Sequence, residues 1–149
     1  LKLYKYVRDN MIHPEWLGTF TKEEIEEILL TGGKIWLYYD NKNLVCSMFY
    51  MPIEKKILLK HNVDLEENFV GSLGPIMVSP DYVGHGLQRE MMNVLVNYCR
   101  SINKKYIFTK VCSDNVYSLN NMLKCDFKVV DQYINERGSN TALIKKLEK

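Results

Sequence analysis

The chain has 149 residues, 46% of them apolar and 26% charged, with a net charge of +2 at neutral pH. That is about one domain's length with enough apolar side chains for a proper core, so a single domain over residues 1–149 is expected. The near-neutral balance gives no electrostatic case for nucleic acid or an anionic membrane surface.

No apolar run approaches the roughly 18–20 residues that a membrane span needs. The start, Leu1-Lys2-Leu3-Tyr4, has no signal-peptide pattern, and the missing initiating Met suggests a trimmed or processed N-terminus. Cys46, Cys99, Cys112 and Cys125 lie far apart with no C-x-x-C pair. They read as free thiols in a reducing cytoplasm, not as a zinc site or a disulfide frame, and no metal is expected.

Residues 3–7 alternate apolar and polar side chains, which predicts a strand. Residues 11–20 contain Pro14 and Gly18, which limit any helix there to one or two turns. Thr21-Lys22-Glu23-Glu24 is a capping box, and its helix should turn Ile25, Ile28 and Leu29 inward and stop at Gly32. The acidic run Glu23, Glu24, Glu26, Glu27 reads as a solvated helix face or, less simply, as a surface for a basic substrate. Residues 34–40 and 44–51 are aromatic-rich strands joined by Asn41-Lys42-Asn43, a hairpin that Pro52 ends. A short helix within 53–62 follows, with Ile57 and Leu58 packed, and residues 64–68 lead into the next strand.

Residues 73–78 form a short apolar run holding Gly74 and Pro75, bounded by breakers, and read as a buried strand. A Pro80-Asp81 turn follows, then Gly84 and Gly86 one residue apart, then Leu87, Met91, Val94, Leu95 and Tyr98 at helical spacing. The unit is therefore strand, glycine turn, helix. The first amides of a helix lack intrahelical acceptors and carry partial positive charge. Glycines there remove the Cβ atoms that keep an anion off the backbone, so a phosphate could sit on the amides from Gly84 to Gln88. The same glycines are equally what a tight strand-to-helix turn requires. No G-x-x-x-x-G-K-[ST] occurs, and the third glycine of G-x-G-x-x-G would fall at Arg89. Beyond this helix, a strand is predicted at 106–112, a helix at 115–124, a strand at 127–134, a turn at 135–139 and a last strand at 141–147.

Val78-Ser79-Pro80-Asp81-Tyr82-Val83-Gly84-His85-Gly86-Leu87 resembles the acyl-CoA signature of the GNAT superfamily of N-acetyltransferases. The family's [QR]-x-x-G-x-[GA] falls on Val83 through Gln88, with Gly86 matching and Val83 and Gln88 departing at the ends. A second resemblance lies in Asn115 to Phe127, similar to the family's N-x-x-A-x-x-x-Y-x-x-x-G-F helix. It keeps Asn115 and Phe127 and has Ser118, Met122 and Asp126 at the small, Tyr and Gly positions.

The resemblance implies a mixed α/β fold. Its central, mostly antiparallel sheet would have 6–7 strands, one central strand splayed, and about four flanking helices. It implies acetyl-CoA as co-substrate and a small-molecule or peptide amine as acceptor, attacked directly in a ternary complex, in a cytoplasmic monomer or homodimer. The pantetheine arm would pair with Ile76, Met77 and Val78, whose amides would also polarise the thioester carbonyl. The pyrophosphate would lie on Val83, Gly84, His85, Gly86, Leu87 and Gln88. Asn115 and Ser118 would hold the pantetheine side, although Asn115 is equally a helix cap. His85 reads as a surface side chain of the loop.

Met122 stands where the family often has a Tyr acid, and Ser72 where many members have a Glu base. Glu66, Glu67, His61 and Tyr133 are remaining candidates, each also readable as a solvated or core residue, and no catalytic acid or base is assigned. Trp16, Trp36 and several tyrosines belong either to an acceptor wall able to hold a cation or aromatic amine, or to ordinary core. An acyl-CoA-binding sensor without turnover is the alternative function. A nucleotide-binding domain is a third, weakened by the lack of Lys and Ser/Thr at the loop.

Overall fold

The computed structural model describes residues 2–10 and 21–147. The segment 11–20, with Trp16 and its expected one or two helical turns, lies outside the described residues. In chain order the elements are α1 (Lys2–Asp9), α2 (Lys22–Leu30), β1 (Lys34–Asp40), β2 (Asn43–Pro52) and α3 (Lys55–Lys60). Then come β3 (Val70–Val78), α4 (Leu87–Ser101), β4 (Tyr106–Cys112), α5 (Val116–Lys124), β5 (Lys128–Asn135) and β6 (Gly138–Lys146). The fold is mixed α/β, with a six-stranded sheet in the order β1-β2-β3-β4-β6-β5. The pairs β1–β2, β4–β6 and β5–β6 are antiparallel, while β3 and β4 are parallel.

The chain divides into two compact units, Leu1–Met51 with Leu73–Asn97 and Pro52–Ser72 with Tyr98–Lys149. In the first unit the expected strand at residues 3–7 is instead helix α1. So short a window satisfies both periods, because Leu3 and Val7 are also an i, i+4 pair. Leu3 is buried, and the Asn10 side chain closes the helix end by donating to the Tyr6 carbonyl at 2.9 Å. Thr21 caps α2 as its sequence predicts, accepting from the Glu24 amide at 3.1 Å. Leu29, expected inside, is 51% exposed. In so short a helix, Ile25 and Ile28 define the inner stripe and Leu29 falls beside it.

The expected hairpin forms, pairing from Lys34↔Tyr50 to Asp40↔Asn43 with a register shift between Tyr38 and Tyr39; Asn43, expected in the connection, is the first residue of β2, and Asn41 takes φ 55 in the turn. Asn is among the few side chains that tolerate that region, which is why the turn forms there. β2 is buried without interruption from Val45 to Tyr50, as a strand inside the sheet must be. In β3, a Cβ at Gly74 would lie 2.8 Å from that of Phe49, so the close approach of the two strands requires glycine. From α4 of this unit, Leu87, Met91 and Leu95 are buried as predicted, but Val94 is 39% exposed and Met92 takes the inner place.

The second unit closes on a core of Ile53, Leu58, Val63, Val70, Phe108 and Ala142, flanked by Ile57, Tyr106, Val130 and Ile144. The parallel ladder runs from Val70↔Tyr106 to Ser72↔Phe108, three residue pairs of a strand that continues to Val78. Helices α3 and α5 end in the same device: the residue after the cap takes positive φ, Asn62 at 66 and Asp126 at 68. The next amide then reaches back five residues, Val63 to Leu58 at 2.8 Å and Phe127 to Met122 at 3.1 Å.

Candidate functional site

In the first unit the loop after β3 is built to present backbone. The Ser79 amide donates to the Val45 carbonyl at 2.8 Å, fixing the strand's exit. Pro80–Tyr82 makes one 3-10 turn, closed by the Tyr82 amide on the Ser79 carbonyl at 2.8 Å. Val83 is extended, and Gly84 and Gly86 take φ of 91 and 76, a region in which a side chain is strained. The first α4 bond runs from the Glu90 amide to the Gly86 carbonyl at 3.1 Å, which makes Gly86 the cap. The amides of Leu87, Gln88 and Arg89 therefore precede the helical ladder, at the positive end of a 15-residue helix.

A Cβ built on either loop glycine meets nothing within 4 Å. The glycines are thus required by backbone conformation, and the surface they bare is open. Val83 and His85 are exposed, Leu87 is buried under the helix, and Gln88, Ile76 and Val78 are half-buried beside buried Met77. His85 is a surface side chain, as read from the sequence, with its ring 6.1 Å from that of Tyr82.

Two hydrogen bonds that sequence reasoning missed hold this loop. The Tyr82 hydroxyl donates to Asp40 at 2.7 Å, at the end of β1, and the Tyr6 hydroxyl of α1 donates to Asp81 at 3.0 Å. Both phenols are pushed above their ordinary pKa, chiefly because the proton is held in those bonds to a carboxylate. The partners lie 42 and 75 residues apart in sequence, so no local pattern reports them.

In the second unit Asn115 is the cap of α5, its Oδ1 accepting from the Ser118 amide at 3.3 Å. The cap uses the carbonyl end of the side chain alone. Ser118 is half-buried, and Met122 is 4% exposed, an apolar core residue with no proton to give. Ser72 is half-buried on β3. Glu66 and Glu67 are exposed, Glu66 lying 3.8 Å from Lys55. His61, by contrast, is 3% exposed and bonded through Nδ1 to Asp131 at 2.9 Å, with the ring of half-buried Tyr133 at 4.6 Å. Burial foremost raises the Tyr133 phenol, while Arg137 works against it. Trp36 is half-buried on β1.

All four cysteines are free, and burial pushes the thiols of Cys46 and Cys99 up to about 11, so neither is a nucleophile at neutral pH. Among the described residues no group of three His, Cys, Asp or Glu side chains could hold a metal ion. None of the described helices is long and apolar enough to cross a membrane.

The sequence pattern of the acetyltransferase (GNAT) family matches residues 4–127. No curated protein matches the chain. An N-acetyltransferase from Staphylococcus aureus Mu50 superposes with a TM-score of 0.75 at 13% identity, covering 99% of this chain and 90% of its own. The yncA protein from Salmonella typhimurium, solved with its cofactor acetyl-CoA, gives 0.72 at 15% identity, covering 99% and 86%. The ribosomal-protein-S18-alanine N-acetyltransferase from Escherichia coli gives 0.72 at 12%, covering 98% and 87%. At such identities the likeness establishes the fold.

Proposed function

This chain belongs to the acetyltransferase (GNAT) family, and from that premise we propose that it transfers an acetyl group from acetyl-CoA to a primary amine. The observation that carries the reading is the glycine turn: Gly84 and Gly86 at positive φ, with open space where a Cβ would stand and the first α4 amides beyond. These groups fit a pyrophosphate, since a helix N-terminus offers partial positive charge and Gly84 and Gly86 present backbone with no side chain to displace. Val83, Gly84, His85, Gly86, Leu87 and Gln88 would hold that part of the cofactor. The strand end at half-buried Ile76 and Val78 and buried Met77 would hold the pantetheine arm, Pro75 beside it having no N–H to give.

When bound, acetyl-CoA supplies the thioester whose C–S bond breaks as the C–N bond to the amine forms. The amine must arrive without its extra proton, and the departing sulfur must gain one. Met122, buried and apolar, supplies neither role. The chain's own contribution through the loop is therefore positioning, which by itself accounts for large effective concentrations. Asn115 and Ser118 serve first in the α5 cap.

Met122 and Ser72 also favour a second reading, an acyl-CoA-binding module without turnover. A panel of polyamines, amino acids and peptide N-termini, incubated with enzyme and acetyl-CoA and examined by mass spectrometry, separates the two. An acetylated amine formed at a rate linear in enzyme supports transfer. Cofactor binding with no acetylated product from any panel member supports the binding module.

A further inference from the structure

The second unit contains a cavity of about 360 Å³ lined by Lys60, His61, Lys110, Asp131, Tyr133, Ile134, Asn135 and Glu136. None of this belongs to the glycine turn. His61 is the last-turn cap of α3, and the following residue, Asn62, at φ 66, donates to the Val130 carbonyl at 3.3 Å and so ties the helix end to β5. That bond and the Asp131 carboxylate on Nδ1 fix the ring. The other nitrogen is left over. No described residue bonds Nε2, and among the described residues no buried side-chain nitrogen is sealed without a partner, so Nε2 keeps contact with solvent, and His61 meets solvent at the cavity although its side chain is 96% buried.

Charge completes the picture. Lys60 from α3 and Lys110 from β4 line the cavity, and neither forms an ion pair among the described residues. Desolvation, then the like charges of Arg137 and Lys60, hold the Lys110 ammonium below its ordinary pKa. Lys60 and Lys110 thus lie close enough to repel, with Arg137 also bearing on Lys110, while of the two lining carboxylates Asp131 is taken by His61 and Glu136 pairs with no described cation. Such an arrangement gains from an anion placed among the cations.

We propose that this cavity binds a small oxyanion, phosphate or carboxylate, between Lys60, Lys110 and the Nε2 edge of His61. The lysines supply charge. Asp131 holds Nδ1, which leaves Nε2 as the ring atom to face the oxyanion, donating to it whenever both ring nitrogens carry a proton. The groups that bear on that ring are Asp131 and Tyr133 from β5, Lys60 from α3, Lys110 from β4, and Glu136 and Arg137 from the turn. The site stands whether or not the glycine turn takes acetyl-CoA.

The test uses the whole chain with ¹⁵N-labelled histidine at about pH 6, where an ordinary imidazole is largely protonated. His61 is assigned with His13→Gln and His85→Gln variants. Inorganic phosphate and sodium acetate are titrated separately. A saturable movement of the His61 Nε2 resonance is expected with at least one of them, and which one identifies the oxyanion. Lys110→Gln and, independently, Lys60→Gln on the exposed helix end should each weaken that response about tenfold. Gly86→Glu should leave it intact, separating this site from any phosphate on the loop. A His61 resonance unmoved by both anions overturns the proposal, and so does an equal response in the doubly substituted Lys60→Gln, Lys110→Gln protein.

Discussion

The glycine turn and the His61 cavity solve opposite problems. The turn offers main-chain amides, and its side chains either face solvent, as Val83 and His85 do, or lie under the helix, as Leu87 does. The cavity offers side chains, brought together from position 61 at the end of α3, position 110 on β4 and position 131 on β5. A backbone site tolerates changes of side chain and fails when a Cβ enters. A side-chain site tolerates its backbone neighbours and fails when one group is removed.

The largest effect belongs to the buried ring packed beside His61. Phe108 is fully buried and its ring lies 5.7 Å from that of His61, so Phe108→Ala should destabilise the protein by about 3–5 kcal/mol in chemical denaturation. Loop changes come next. His85→Ala and Val83→Ala should alter acetyl-CoA affinity by less than about threefold, because neither removes an amide. A tenfold loss from either would mean that the loop works through side chains after all.

Removing the Tyr82 hydroxyl, which anchors the loop to Asp40, should weaken acetyl-CoA binding by roughly two- to fivefold in a Tyr82→Phe titration. Its pH dependence has a definite sign. The folded phenol's pKa is raised, so the bond's contribution is complete below the ordinary tyrosine pKa and is lost only as pH climbs through the higher folded value. Affinity lost in Tyr82→Phe should therefore be the same at pH 6 and pH 8.

Smaller effects follow. Asp126 sits at φ 68, where the family motif has glycine, and Asp126→Gly should stabilise the protein by about 0.5–1 kcal/mol. Lys110→Gln should raise Tm slightly at neutral pH in anion-free buffer. The lowered lysine pKa means that the charged form costs stability below the folded value, a cost that fades as pH rises through that value towards the ordinary lysine value of 10.5. In phosphate the gain should shrink or reverse, because the wild-type site is then filled.

The same contrast explains what the sequence made legible. Gly84 and Gly86 are separated by His85 alone, so spacing by itself reported the turn, and the structure places both at positive φ. The hairpin, the Thr21 cap and the strand at 106–112 were readable for the same reason, each resting on a handful of consecutive residues. Residues 3–7 misled because five positions cannot separate a period of 2 from one of 3.6. Leu29 and Val94 misled because an apolar residue at the margin of a helix stripe has no local mark of which side it takes. His61 could be named as a candidate but not placed, since Asp131 is 70 residues away and only folding brings it to Nδ1. Tyr82 and Asp40, 42 residues apart, were invisible for the same cause.

The central claim is that the glycine turn binds acetyl-CoA through its backbone, and calorimetric titration tests it most directly, with ATP as the control ligand. The account predicts saturable binding of acetyl-CoA in preference to ATP, lost by at least about a hundredfold in Gly86→Glu, whose side chain both strains the loop and sets a carboxylate against the pyrophosphate. No binding at millimolar acetyl-CoA, or equal binding by the Gly86→Glu protein with its fold intact, would contradict it.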